Sequence, residues 1–240
     1  MHNASFVTIR DSLTVYISRP AQSNTRAIIV GMEIFGINDD IKAITERLSE
    51  AGFTAVAVDF YHRVSPQTSL SYSDEDRTRG LDLMKTLNRE QVLDDIKETI
   101  GYLQQKEQLH QIGYLGFSIG GHIGYLAATL EGISATVAYY PGWLTDTSIP
   151  LSHPSPPVYF TKDIQCPLLL LIGDSDHLVT AQVIDAVEKA LQSHHKTYQI
   201  RRYPDTKHAY PFKSRPQSYN AAASEASWEQ TISFFNQHLK

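Results

Sequence analysis

The chain has a single cysteine, Cys166, in 240 residues, so an internal disulfide framework and a multi-cysteine metal site are both excluded. That cysteine precedes Pro167 and the apolar run 168–172, a setting that predicts a buried structural thiol rather than a nucleophile. Basic excess is missing as well: a formal net charge of -5 supplies no general attraction to nucleic acid or to an anionic membrane. No apolar run approaches the ~20 residues of a membrane-spanning helix, and Met1-His2-Asn3-Ala4-Ser5-Phe6 lacks the basic segment and apolar stretch of a secretory signal. A soluble, cytoplasmic protein with neither nucleic-acid nor membrane partner is the expectation. GKS and GxGxxG phosphate loops are absent, as are repeats and low-complexity tracts, and no metal or organic cofactor is expected.

What is present suits one α/β domain over residues 1–240, with 42% hydrophobic content sufficient for a substantial core. Phe6 to Arg10 and Leu13 to Arg19 alternate around Asp11-Ser12, predicting an N-terminal antiparallel hairpin of edge strands. Ala27 to Met32 and Phe53 to Val58 are continuously apolar, as strands buried on both faces are. Between them Ile41, Ile44 and Leu48 mark one face of a helix from Asp39 to Glu50, which Gly52 stops. The serine-rich stretch Val64 to Asp74 reads as a loop on the active-site side, before helices at 76–87 and 89–107. Strands at 111–115, 133–140, 168–172 and 197–203 then alternate with helices after Ser118, at 181–191 and at the C-terminus, with a proline-rich loop at 150–157. This order predicts a mostly parallel central sheet flanked by helices, with reactive groups at the C-terminal strand ends.

Ser118 falls in Gly116-Phe117-Ser118-Ile119-Gly120-Gly121, between a strand and a helix. A serine at such a turn adopts strained backbone angles, and glycines two before and two after it remove the Cβ atoms that would collide. The strain exposes Oγ, while the amide of Ile119 opens a helix whose positive end favours a developing oxyanion. The same glycine-rich turn also suits phosphate binding. Residues downstream favour nucleophilic chemistry, because α/β-hydrolases present serine, acid and histidine in that chain order. Asp176 lies deep in the loop after strand 168–172, with Asp174 as the competing acid, and His208 comes after the last strand. Of the ten histidines, most read as surface or packing residues; His122, four residues after Ser118, is expected beneath the turn.

Together these segments resemble the dienelactone hydrolase family of the α/β-hydrolase superfamily. The likeness runs through Glu33-Ile34-Phe35-Gly36-Ile37-Asn38, Asp59 to Arg63, the Ser118 turn, Tyr139-Tyr140, Gly173 to Val179 and Lys207 to Tyr210. It implies an α/β-hydrolase fold with Ser118, Asp176 and His208 as a triad, Glu33 beside the nucleophile, and an oxyanion hole from the amides of Ile34 and Ile119. Hydrolysis of a small carboxylic ester or lactone through an acyl-enzyme is the implied activity. Two departures stand out. The best-known members use cysteine where this chain has Ser118, so His208 is expected to act as an ordinary general base, with Glu33 positioning substrate, water or imidazole. Those members also bind a substrate carboxylate with an arginine shortly after the histidine, where this chain reads Ala209-Tyr210-Pro211-Phe212. That change argues against an anionic dienelactone. Tyr140 and Phe212 are expected to line an apolar pocket, and Arg77 or Arg79 to retain some affinity for anions. Two other readings stay open: a thioesterase or acyltransferase on the same triad, and a non-catalytic scaffold that binds a small molecule or protein. The sequence leaves the oligomeric state open.

Overall fold

Eight strands form one sheet in the order β1-β2-β4-β3-β5-β6-β7-β8: β1 (Asn3–Arg10), β2 (Leu13–Arg19), β3 (Arg26–Gly31), β4 (Thr54–Val58), β5 (Gln111–Phe117), β6 (Ala135–Tyr139), β7 (Leu168–Gly173) and β8 (Tyr198–Tyr203). The computed structural model describes residues 3–22 and 24–240; Met1 and His2, in the N-terminal segment, and Ser23, in the polar linker before β3, lie outside them. From β4 to β8 every pairing is parallel, because each strand is reached through a crossover that includes a helix or a long loop. The N-terminal hairpin is antiparallel, but only β1 is an edge. β2 also pairs antiparallel with β4, from Val15 opposite Val58 to Ser18 opposite Ala55. Val15 and Ile17 are fully buried, which a true edge strand would not achieve.

Helices α1 (Asp39–Glu50), α2 (Asp74–Met84), α3 (Arg89–Gln105), α4 (Ile119–Ala127), α5 (Ala181–Ser193) and α6 (Ala221–His238) cover the sheet. Five of them start at a side-chain cap: Asn38, Ser73, Asn88, Thr180 and Asn220 each accept the amide three residues on, a device worth ~1 kcal/mol apiece. The Ser73 cap explains why α2 begins two residues before the apolar pattern suggests. At the end of α1, Gly52 takes a φ of +91°, and the amides of Gly52 and Phe53 turn back to Ser49 O and Leu48 O at 3.0 and 3.1 Å. That closure requires the left-handed backbone glycine supplies. Short 3₁₀ turns at Pro150–Ser152 and Pro157–Asp163 organise the proline-rich segment.

One contiguous apolar core runs through the interior strands and the inward faces of α1, α3, α4 and α5. Cys166 is buried in it, and burial pushes its thiol up to about 11. No helix among the described residues is long and apolar enough to cross a membrane. The parallel arrangement brings the loops after β3, β5, β7 and β8 to one edge, so that Glu33, Ser118, Asp176 and His208 meet there. The stretch before α2 docks on the same edge: Ile37 N–H donates to Thr68 O and Leu70 N–H to Phe35 O, both at 2.9 Å.

Candidate active site

Ser118 takes φ +52° and ψ -110°, well outside the regions an ordinary side chain prefers and costing ~1–3 kcal/mol that the surrounding packing must hold in place. The neighbouring glycines show why the turn needs them. A Cβ on Gly116 would lie 2.1 Å from Gly120 O, and one on Gly120 would lie 2.3 Å from Gly31 O. The Ser118 amide donates to Tyr139 O at 3.0 Å, fastening the turn to β6. The Ile119 amide opens α4, and the Ile34 amide lies in the turn after β3. Neither finds a backbone acceptor among the described residues, and Ile34 and Ser118 line the same cavity.

His208 Nε2 lies 3.0 Å from Ser118 Oγ, and its Nδ1 lies 2.7 Å from Asp176 Oδ2. An ionised carboxylate can only accept, so Nδ1 carries the proton and Nε2 presents its lone pair to the serine hydroxyl. Asp176 Oδ1 is occupied in turn by the amides of Leu178 and Val179, at 2.8 and 3.1 Å. Burial acts to raise this carboxyl, but the hydrogen bond and electrostatic pull of His208, together with the two amides, hold it below the ordinary 3.8. Asp174 is exposed, bonded to Ser175 Oγ at 3.1 Å, and takes no part in this chain of contacts.

Glu33 is buried, and burial pushes its carboxyl above the ordinary range; the charge of Arg215, and to a lesser degree the neighbouring His208, oppose the shift. Arg215 Nη1 reaches both Glu33 oxygens at 3.3 and 3.4 Å, and its guanidinium lies over the rings of Tyr72 and Phe35 at 5.0 and 5.6 Å. The segment carrying it is tethered where Ser214 Oγ donates to Asp40, which also accepts from the Tyr72 hydroxyl at 2.5 Å. All of this borders a cavity of about 540 Å³ lined by Glu33, Ser118, His208 and Arg215, with Arg77 and Lys207 supplying further positive charge and Ile34, Phe35, Leu81, Trp143 and Leu178 an apolar wall. Arg77 makes no ion pair among the described residues, whereas Lys207 Nζ donates to Gln217 O at 3.4 Å. Among the described residues no three His, Cys, Asp or Glu side chains cluster as metal ligands would.

The structure thus brings Ser118, Asp176, His208, Glu33 and the amides of Ile34 and Ile119 to one edge, and it places Arg77 on the cavity wall. Arg79 instead faces away, among Glu75, Asp82 and Thr86 on the outer side of α2. Tyr140 and Phe212 do not line the cavity. Both are buried, Tyr140 edge-on to the His208 ring at 4.6 Å and Phe212 against Phe117 at 5.2 Å; aromatic side chains beside an active site serve core and pocket equally well in a sequence pattern. His122 lies beneath the turn, wholly buried, its Nδ1 3.0 Å from Gly142 O. The residue at this edge that sequence reasoning misses is Arg215, seven residues after His208. The four positions after the histidine contain no arginine, yet the chain folds back through the Ser214 tether and delivers one. Arg215-Pro216, a cation next to a turn-forming residue on the loop before α6, is the signal that could have found it.

Comparison with known proteins identifies the family. The dienelactone hydrolase family model matches residues 13–239. A Synechocystis protein named "Putative carboxymethylenebutenolidase" is 31% identical over 94% of this chain and 92% of its own. A Bradyrhizobium protein named "Probable 2-oxo-3-(5-oxofuran-2-ylidene)propanoate lactonase" is 29% identical over 95% and 91% of the two chains. The crystal structure of a "Putative Dienelactone Hydrolase" from Klebsiella pneumoniae subsp. pneumoniae MGH 78578 superposes with a TM-score of 0.85 at 24% identity, covering 99% of this chain and all of that one. With a family match over residues 13–239 and a relative 31% identical over 94% of this chain, the chain belongs to the dienelactone hydrolase family of α/β-hydrolases.

Proposed function

We propose that the protein is a serine hydrolase that opens a small carboxylic ester or lactone through an acyl-enzyme. Ser118 Oγ attacks the carbonyl carbon while its proton passes to His208 Nε2, and Asp176 holds the imidazole in the tautomer that accepts it. The carbonyl oxygen becomes an oxyanion and takes hydrogen bonds from the amides of Ile34 and Ile119, each such donor being worth ~3–4 kcal/mol in the transition state. His208 then returns the proton to the departing alkoxide, which in a lactone stays attached to the acyl group. A water molecule deprotonated by the same nitrogen releases the acid and restores Ser118. Glu33, whose carboxyl burial pushes up while Arg215 draws it down, favours in its ionised form the imidazolium formed in both steps.

The observation that carries this reading is the continuous path Ser118 Oγ to His208 Nε2 to Asp176, with contacts of 3.0 and 2.7 Å, beginning at a backbone-strained serine. Arg77 and Lys207 on the cavity wall support a substrate that carries an anionic group, in keeping with the oxoacid lactone in the name of the Bradyrhizobium relative. Arg215 weakens the sequence-based argument against anionic substrates, although Glu33 already engages it. The test is Ser118→Ala on a panel of nitrophenyl esters and unsaturated lactones: turnover falls by ~10⁶ if the serine is the nucleophile. Wild-type rates in that variant, or failure of a fluorophosphonate to modify Ser118 in the folded protein, would remove the proposal.

A further inference from the structure

Trp143 has a left-handed backbone, with φ +53°, a conformation rare for a bulky side chain. The residue comes directly after Pro141-Gly142 on the loop leaving β6, and it is only partly buried. The carbonyls on either side of its own amide and Cα are both held. His122 Nδ1 donates to Gly142 O at 3.0 Å, and Ser152 Oγ donates to Trp143 O at 3.2 Å. His122 belongs to the first turn of α4, four residues beyond Ser118, and burial pushes its imidazole down to about 4, so the ring is neutral and carries its proton on the nitrogen facing Gly142. These contacts fix the loop to the helix that bears the serine and turn the indole to the cavity shared with Ser118 and His208. Leu178, 37% exposed on the loop carrying Asp176, lines the same cavity.

Core packing alone does not account for this arrangement. A side chain needed only for packing gains nothing from an unfavourable φ and partial exposure, whereas a pre-set aromatic surface beside a nucleophile gains orientation for a flat ligand. We infer that Trp143 is a specificity-determining residue whose indole receives an aromatic or flat unsaturated group of the substrate, and that His122 is the positioning residue that aims it. This inference rests on the proposed hydrolase activity and adds the recognised group to it.

The test compares ethyl acetate, ethyl phenylacetate and benzyl acetate in a pH-stat, placing a ring in neither half, in the acyl half or in the alcohol half of the ester. The wild type is expected to prefer at least one ring-bearing ester over ethyl acetate in kcat/KM by ~10-fold or more, the scale of one apolar contact in a pocket. Trp143→Ala abolishes that preference, chiefly through KM, and Trp143→Phe retains most of it. His122→Leu lowers the preference, and His122→Asn, which keeps a donor for Gly142 O, restores it. A second readout is fluorescence in a Trp228→Phe background, where Trp143 is the remaining tryptophan of two: saturating phenylacetate quenches it and acetate does not. Ser118-dependent hydrolysis with the same ester ratio in wild type and Trp143→Ala would overturn the role of Trp143 while leaving the hydrolase reading intact. If the wild type cleaves none of the three esters and fluorophosphonate leaves Ser118 unmodified, the hydrolase reading falls and takes this inference with it.

Discussion

Replacing Asp176 by asparagine tests the proposed proton path at its most constrained point. One oxygen, Oδ1, accepts the amides of Leu178 and Val179, and the other accepts His208 Nδ1–H. In Asp176→Asn the two amides can be satisfied only by the carbonyl oxygen, so the new NH₂ must point at Nδ1. A donor facing Nδ1 draws out its lone pair, and the proton moves to Nε2, where it faces Ser118 as a donor instead of an acceptor. The general base is thereby removed with almost no change of shape. The expected loss is ~10³–10⁴ in kcat at neutral pH, equivalent to about 4–5.5 kcal/mol in the barrier. Folding is much less affected, by about 1–2 kcal/mol, because both amide bonds survive and only the charge-assisted bond to the imidazole is weakened. Steady-state hydrolysis of a nitrophenyl ester with thermal unfolding of the same samples separates the two effects, and Asp174→Asn, altering an exposed carboxylate two residues away, serves as the control. An Asp176→Asn enzyme within tenfold of wild type, or an Asp174→Asn enzyme that is the more damaged, would refute the reasoning.

The serine turn makes a steric prediction: Gly116→Ala forces a Cβ to 2.1 Å from Gly120 O, so activity falls ~10²-fold by displacement of Oγ and stability drops ~1–3 kcal/mol. Gly101→Ala, in α3 with only the Gln105 amide nitrogen 4.0 Å away, gains up to ~1 kcal/mol from helix propensity, and denaturant titration with kinetics checks both. For the Glu33–Arg215 pair, Arg215→Met leaves Glu33 without its cation, which moves a carboxyl already raised by burial further up. The variant loses ~1–3 kcal/mol, after discounting for the partial exposure of the arginine, and much of the loss returns in Arg215→Met/Glu33→Gln, as a double-mutant cycle by urea melting would register. Asp176 supplies one part of the pH dependence of stability. Its folded carboxyl lies below the ordinary 3.8, so its contribution is complete above that value and disappears as pH falls through the depressed one. Acid titration of stability below pH ~4 is therefore expected to be shallower in Asp176→Asn than in wild type.

Local chemistry makes much of this molecule legible from its sequence. Helix α1 has its predicted bounds because Asn38, the apolar stripe and Gly52 each act within a few residues of the ends they specify. The interior strands are legible for the same reason, being short apolar runs that have nowhere to go but a doubly covered sheet. Ser118 and His208 come together as chain order suggests, because that order converts directly into position along the strand ends. What escapes a sequence reading depends on contacts between distant segments. The interior place of β2 is set by pairing with β4, Arg215 reaches Glu33 only because Ser214 meets Asp40, and Trp143 is turned by His122 and Ser152. Tyr140 and Phe212 read as pocket residues because a ring beside a catalytic loop gives the same pattern from either side of the wall.

The burial of Cys166 has a practical corollary for the proposed nucleophile. Its sulfur is sealed in the interior and resists ionisation at neutral pH, so the native fold offers thiol reagents no reachable target. Exchanging Ser118 for cysteine would create one addressable thiol in the whole polypeptide. The choice between oxygen and sulfur chemistry on this scaffold could then be followed by alkylation at a single atom, without a background to subtract.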